Sequence, residues 1–432
     1  MTKKLLAILA LILSLGLALG GVMAVAEEMS GKVVNEELTG EITQWSWNDY
    51  DRDGASMFND YYPNVKVNYE IVADYETKFR TVLAAGGDLP DVFDVEEAHR
   101  ASFYSQDIWE ILDEPPYNLD RSLLVDFSIP LISNPQGQIV GVQIDNCVGG
   151  YAYRRELAKE FFGTDDPAEL EAIFQTPQDY IDKAKEVSEK SGGSVYMFSS
   201  LGDAFRAFSS LGQSNKEPLA IDGKLNIRAA YTETFTIIEE LIKVGAIGPY
   251  VGWTPAWNTS FSSNEVIFFP GPTWFLSVCI KANDPDSLGD YGVMNPPGGS
   301  FSWGGTAYSI PKGAKNKELA WEYIKWLAVS QGGAESFYKA HGTATLYQPA
   351  YDTDLYKNDP DPYFGGQAVM EKYLAISQNP DTMVRPMTVY DATIGRGVGL
   401  ALDQMLENGM SAEDALTMAE DEALVLDPAL SR

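Results

Sequence analysis

The side chains of this sequence best suited to holding a small molecule are its tryptophans. Nine occur in 432 residues, and an indole face can cover the apolar C–H face of a pyranose without engaging its hydroxyls. Trp274 leads the set because it follows Gly271-Pro272, a turn that lets the backbone approach a bound molecule. Its competing reading is a core residue at a helix start. Trp253 and Trp257 lie in a Gly/Pro-rich loop, and Trp303 stands beside Gly304-Gly305, so each is a candidate second stacking surface. Trp47 is followed by Asn48 and Asp49, an amide and a carboxylate that can each take paired hydroxyls. Trp45, two residues earlier, is expected in the core. Glu96, Glu97, Asp145, Asn146 and Tyr390 complete the candidates. Glu96 and Glu97 read equally well as a solvated helix start, where acids suit the dipole. Losing a buried polar partner costs more than losing an apolar contact, because the other side is left unpaired.

Two other chemistries compete for the same residues. Asp49, Asp51, Asp53, Gly54 and Asp60 follow the oxygen-ligand spacing of a calcium loop. Against it, the last ligand is Asp rather than Glu, Ser56 takes a place usually apolar, and a strand precedes it. A chance match is the simpler reading in so acidic a chain. Paired carboxylates could also hydrolyse a glycosidic bond at separations of roughly 5 to 9.5 Å. With 62 Asp and Glu, such a pair can always be imagined, so its presence discriminates nothing. There is no Gly-x-Ser-x-Gly, no phosphate loop and no His pair at metal spacing; His99 and His341 are the only histidines. No catalytic residue and no cofactor are assigned.

The elements that position these residues alternate between strand and helix. Strands are expected at 41–47, 65–71 and 91–95, with helices at 53–62 and 75–85, the second ended by Gly86-Gly87. That order opens an α/β sheet, in which ligands bind beyond the carboxyl ends of the strands. Trp47 and Glu96-Glu97 stand at such ends. Further strands are expected at 138–144, 291–294 and 306–310, and helices at 154–162, 177–191, 231–244, 318–329, 394–407 and 412–424. No internal repeat or linker divides the chain, which predicts lobes joined by several chain crossings.

Charge and termini narrow the setting. A formal charge of −31 repels nucleic acid and anionic membranes, arguing against either as partner. Lys3 and Lys4, an apolar stretch from Leu5 to Leu19 and the small-x-small pattern Ala24-Val25-Ala26 predict a signal peptide over 1–26. No cysteine near the cut offers a lipid attachment point, so the mature protein is expected to be soluble and extracytoplasmic, in the periplasm or outside the cell. Residues 27–40 are polar and irregular and are expected to form a disordered lead-in. The two cysteines, Cys147 and Cys279, are either one disulfide or two buried thiols.

Several segments, in a shared order, resemble the family 1 extracellular solute-binding proteins, the sugar-binding subunits of bacterial ABC importers. They are Phe79 to Phe93, Gly137 to Val142 with Tyr153 to Leu157, and Phe261 to Val266 leading into Gly271 to Trp274. Tyr291 to Gly299, Trp303 to Pro311 and Lys317 to Tyr323 continue the series. The resemblance places a stacking aromatic at Trp274. It departs at Asp145-Asn146-Cys147, where relatives often carry a polar contact, and in the missing lipid-attachment cysteine. It implies a two-lobe α/β fold of the type II periplasmic-binding-protein kind. The first lobe is expected to comprise 41–143 with 297–345, and the second 147–293 with 350–432. It further implies hinge closure on a carbohydrate, an oligosaccharide by the number of aromatics, and docking of a monomer onto the importer's permease subunits. A secreted carbohydrate-active enzyme, or a binder of a non-sugar solute, is the alternative.

Overall fold

The computed structural model describes residues 34–50, 52–210, 217–297, 299–382 and 384–432. The expected signal peptide and its cleavage site lie outside the described residues. Among those described, no helix is long and apolar enough to cross a membrane.

Two five-stranded sheets organise the chain. The first contains β1 (Gly40–Ser46), β2 (Val65–Ile71), β3 (Val92–Glu96), β4 (Val142–Gln143) and β12 (Thr306–Ser309), in the order β2-β1-β3-β12-β4. β1 runs parallel to β2 and β3, while β12 returns antiparallel between β3 and β4. The second contains β5 (Gly150–Arg154), β6 (Tyr196–Ser200), β9 (Ile247–Tyr250), β10 (Val266–Gly271) and β11 (Tyr291–Met294), in the order β11-β5-β10-β6-β9. A short hairpin, β7 (Ala220–Ile221) and β8 (Lys224–Leu225), stands apart.

Each sheet owns its core. The first buries Phe79, Phe93, Phe103 and Trp109 as one aromatic cluster, with Trp45 at its margin under the Lys78 ammonium. The second is covered on both faces. Phe268 packs into one core and its neighbour Phe269 into the other, as the alternation of a strand requires. Both faces being buried, Val266 to Phe269 reads as a continuous apolar run.

Three strands of chain connect the sheets. Residues 144–149 leave β4 for β5, residues 295–305 return from β11 to β12, and the segment around Thr343–Leu346 crosses last. They pair with one another: Asp145 bridges Thr345 and Val148 bridges Ser302. Asn146 N donates to Ala344 O at 2.9 Å, and Trp303 N donates to Cys147 O at 3.0 Å.

Two expectations are corrected. The strand expected over 138–144 shortens to Val142–Gln143. Its first half instead bonds to neighbouring loops, Val140 N to Ile132 O and Leu112 N to Ile139 O. The described part of the lead-in is tied down rather than disordered. Asn35 N donates to Tyr61 O at 2.7 Å, Asn64 Nδ2 donates to Glu36 O at 2.8 Å, and Gly40 already begins β1.

Candidate functional site

The carboxyl end of β3 opens onto a cleft. Its main chamber measures about 760 Å³, with Glu96, Glu97 and His99 on one wall and Tyr231, Trp303 and Arg385 on the other. Trp303 links this chamber to a cluster of indoles. Its ring centroid lies 4.8 Å from that of Trp274 and 5.9 Å from that of Trp253. Trp253 and Trp274 lie nearly parallel, 13° apart with centroids at 6.2 Å. Trp253 is 62% exposed and holds a left-handed φ of 66°, a conformation uncommon for a bulky residue. Trp274 is fixed by its Nε1, which donates to the Trp303 carbonyl at 3.1 Å.

Below the indoles lies a buried polar knot. Asp203 follows β6 on the helix Leu201–Phe208 and accepts from Ser200 Oγ at 2.8 Å and from Trp257 Nε1 and Arg206 Nη1 at 3.0 Å each. Arg206 in turn lays its guanidinium 3.4 Å from the centre of the Trp303 ring, a cation–π contact. Burial pulls that guanidinium down from its ordinary value, opposed by Asp203.

The opposite wall is anchored by Glu97 at the start of the helix Glu97–Tyr104. Its carboxylate accepts Gly304 N at 2.5 Å. Burial pushes it up to about 7, against the pull of Arg100. Gly304 and Gly305 take positive φ of 75° and 98°, and a Cβ on Gly305 would stand 2.6 Å from the Gln143 amide. Only glycine fits there. Trp47, 44% exposed, reaches the same corner by donating Nε1 to Thr306 Oγ1 at 3.3 Å.

The structure therefore brings together Trp47, Glu96, Glu97, Trp253, Trp274 and Trp303. The other candidates are occupied elsewhere. Trp257 is buried beneath Trp253, centroids 5.3 Å apart, with its indole N–H spent on Asp203 and Ser199. Glu96 combines both of its readings, since it lines the chamber while capping the helix by accepting Ala98 N at 2.8 Å. Asn146 is fully buried in the crossing, donating to Tyr351 Oη at 3.0 Å. Asp145 accepts from Cys147 Sγ at 3.1 Å, and burial raises its carboxyl. Asn48 accepts Tyr50 N, and Asp49 pairs with Arg52. Tyr390 stands between Val389 and Asp391 of the chamber wall but packs against the second lobe's core. Both cysteines are free and buried.

The calcium-loop spacing does not form a loop. Residues Arg52–Asn59 are helical, with Asp53 in the first turn and Asp60 in the turn just past the last helical residue, instead of gathered in one loop; Asp51 lies outside the described residues. Among the described residues, no group of three or more His, Cys, Asp or Glu converges to hold a metal ion.

Sequence reasoning missed Arg206, Tyr231, Arg385, Asp391 and Arg396, of which the last four line the chamber. Arg206 had a signal: Asp203-x-x-Arg206 is a helical ion-pair spacing just past a strand's carboxyl end.

Two α/β sheets with an aromatic cleft between them define a two-lobed binding protein for small solutes. The match to the family model described as bacterial extracellular solute-binding protein runs over residues 55–364, and the chain belongs to that family. It is 25% identical over 370 residues to the arabinooligosaccharide-binding protein of Bacillus subtilis (strain 168), covering 79% of this chain and 80% of that one. Its fold matches an extracellular solute-binding protein of family 1 at TM-score 0.78, with 21% identity over 89% of this chain and 99% of the other. It also matches the galacto-N-biose-/lacto-N-biose I-binding protein of Bifidobacterium longum at TM-score 0.72, with 16% identity over 92% and 98% of the two chains. Members of the family work outside the cytoplasm.

Proposed function

We propose that this protein is the oligosaccharide-capturing component of an ABC importer. The observation that carries this is the indole cluster of Trp253, Trp274 and Trp303, the last of which lines the cleft's main chamber. Such rings hold sugars by their apolar faces, and the polar groups of the opposite wall supply direction. Similarity to the arabinooligosaccharide-binding and lacto-N-biose-binding proteins supports a sugar over another solute.

In this reading, residues 41–143 with 297–345 form one lobe and 147–293 with 350–432 the other. The paired crossings act as the hinge. Sugar bridging both walls favours the closed form by what it gains there over the open form, and the closed monomer docks on the permease subunits. The signal peptide is cleaved near Ala26. The protein releases its ligand chemically unchanged; it is not an enzyme.

A thermal-shift screen against mono- and oligosaccharides, amino acids and peptides tests the reading. Ligand at 100 times its Kd adds about 2.7 kcal/mol to stability, a readable shift. A sugar that stabilises the protein and is recovered intact after overnight incubation supports it. Stabilisation by peptides alone, or consumption of the sugar, overturns it.

A further inference from the structure

Beyond the main chamber, the cleft continues. A second chamber of about 490 Å³ shares Ala101, Leu131, Met387 and Val389 with the first. The two form one channel that passes the helix Glu97–Tyr104 and ends against residues 129–137. Their walls differ in kind. The first chamber carries the charged groups of Glu96, Arg385, Asp391 and Arg396. The second is framed by Pro130, Pro135, Pro218 and Pro386, with Ile129 and Met387 between them.

The polar side chains lining the second chamber are bonded within the protein: Arg121 pairs with Asp113 and donates to the Gly137 carbonyl, and Asn134 Nδ2 donates to Gln138 Oε1 at 3.0 Å. Tyr104 Oη bonds Ser309 Oγ at 2.9 Å, Ser105 Oγ donates to Ser102 O at 3.1 Å, and Ser133 Oγ donates to Ile129 O at 2.7 Å. Thr388 Oγ1 donates to Asp391 at 2.6 Å, and Arg100 is consumed by Gln143 and the Gly305 carbonyl. A sugar unit placed here gives up water from its hydroxyls and meets few donors to replace it, a cost with little return. An apolar group loses little and gains the proline and methionine surface.

We propose that the second chamber receives an apolar group carried covalently by the captured sugar, an aryl or acyl substituent, and not a further sugar unit. This rests on the reading of the main cleft as a sugar site.

The test is calorimetric binding of the purified protein to arabinobiose, maltose and β-1,6-galactobiose. Each is presented as the methyl glycoside, as the 4-nitrophenyl glycoside and as the trisaccharide. The aryl glycoside of whichever sugar binds is expected to gain about tenfold over the methyl glycoside, with the trisaccharide gaining less. Ser105→Trp and Pro386→Asp change residues that line the second chamber and not the first, and should remove the aryl gain while the methyl glycoside binds as before. Equal affinity of aryl and methyl forms, or a gain from the third sugar as large as from the aryl group, overturns the inference and leaves the sugar reading standing. Aryl gains that survive both substitutions overturn it too. If no form of any sugar binds, both fall together.

Discussion

The Trp274 indole and the Trp303 carbonyl are joined by a hydrogen bond of 3.1 Å. Trp274 belongs to the second sheet's wall, whereas Trp303 lies in the returning crossing two residues ahead of Gly305. The Trp274 ring is thus tied to the returning crossing. Any change in that crossing that moves the Trp303 carbonyl also moves the hydrogen-bond partner that fixes the Trp274 indole.

Trp274→Ala should weaken sugar binding by roughly 2–3 kcal/mol, roughly 30- to 150-fold, with little change in Tm because the ring is only part-buried. Trp274→Phe keeps an aromatic face but loses the hydrogen bond, and should fall between. Titration calorimetry on the three proteins reads this order; equal affinities would remove Trp274 from the site.

The acid–base behaviour follows from Glu97. Its carboxyl is raised from 4.5 to about 7, chiefly by burial, so the folded protein keeps a proton that the unfolded chain has released. The stability from this group is fully present below about 4.5 and is lost as pH rises through about 7. Asp94, buried beneath the sheet and raised to about 7 by the same cause, adds in the same direction. Tm measured across that window should fall with rising pH, and Glu97→Gln should flatten the fall without abolishing it. An unchanged slope would show that the Glu97 carboxylate bears no burial cost.

Gly305→Ala forces a Cβ to within 2.6 Å of Gln143 Nε2 and 2.9 Å of Cys147 Sγ, at a φ of 98°. The carbonyl of Gly305 also accepts Glu97 N at 3.2 Å and Arg100 at 2.6 Å. A loss of about 1–3 kcal/mol is expected. Chemical denaturation checks it, and wild-type stability would mean that the crossing yields more easily than its packing implies.

Calcium and a chelator should both leave Tm where it is. Asp53 stands in the first turn of the helix Arg52–Asn59 and Asp60 just past its end, rather than gathered in a loop. A calcium-dependent rise in Tm would contradict this.

β1 and β2 alternate and their positions were legible, as was the helix Pro177–Ser191 with its Thr176 capping box. β5, β6 and β10, buried on both faces, lack that alternation and were not legible, although the equally buried β3, β11 and β12 were expected as strands. The helix Gln331–His341 was hidden by Gly332 and Gly333 in its first turn. Gly333 is needed because a Cβ there would stand 2.3 Å from the Trp326 carbonyl. At the site, residue type alone singled out Trp274 and Trp303, but it could not separate exposed Trp253 from buried Trp257. That distinction is made by Asp203, which is distant in sequence and captures one indole N–H and not the other.

Because β12 lies between β3 and β4, the first sheet is unfinished until its last strand arrives. Thr306 pairs with Glu96 across nearly half the length of the chain, the kind of long-range closure that makes folding slow. While it is being made, the polypeptide therefore lacks the piece that would lock its earliest lobe. The same interleaving that pairs the crossings in the finished protein thus makes completion of the first sheet wait on residues 306–309.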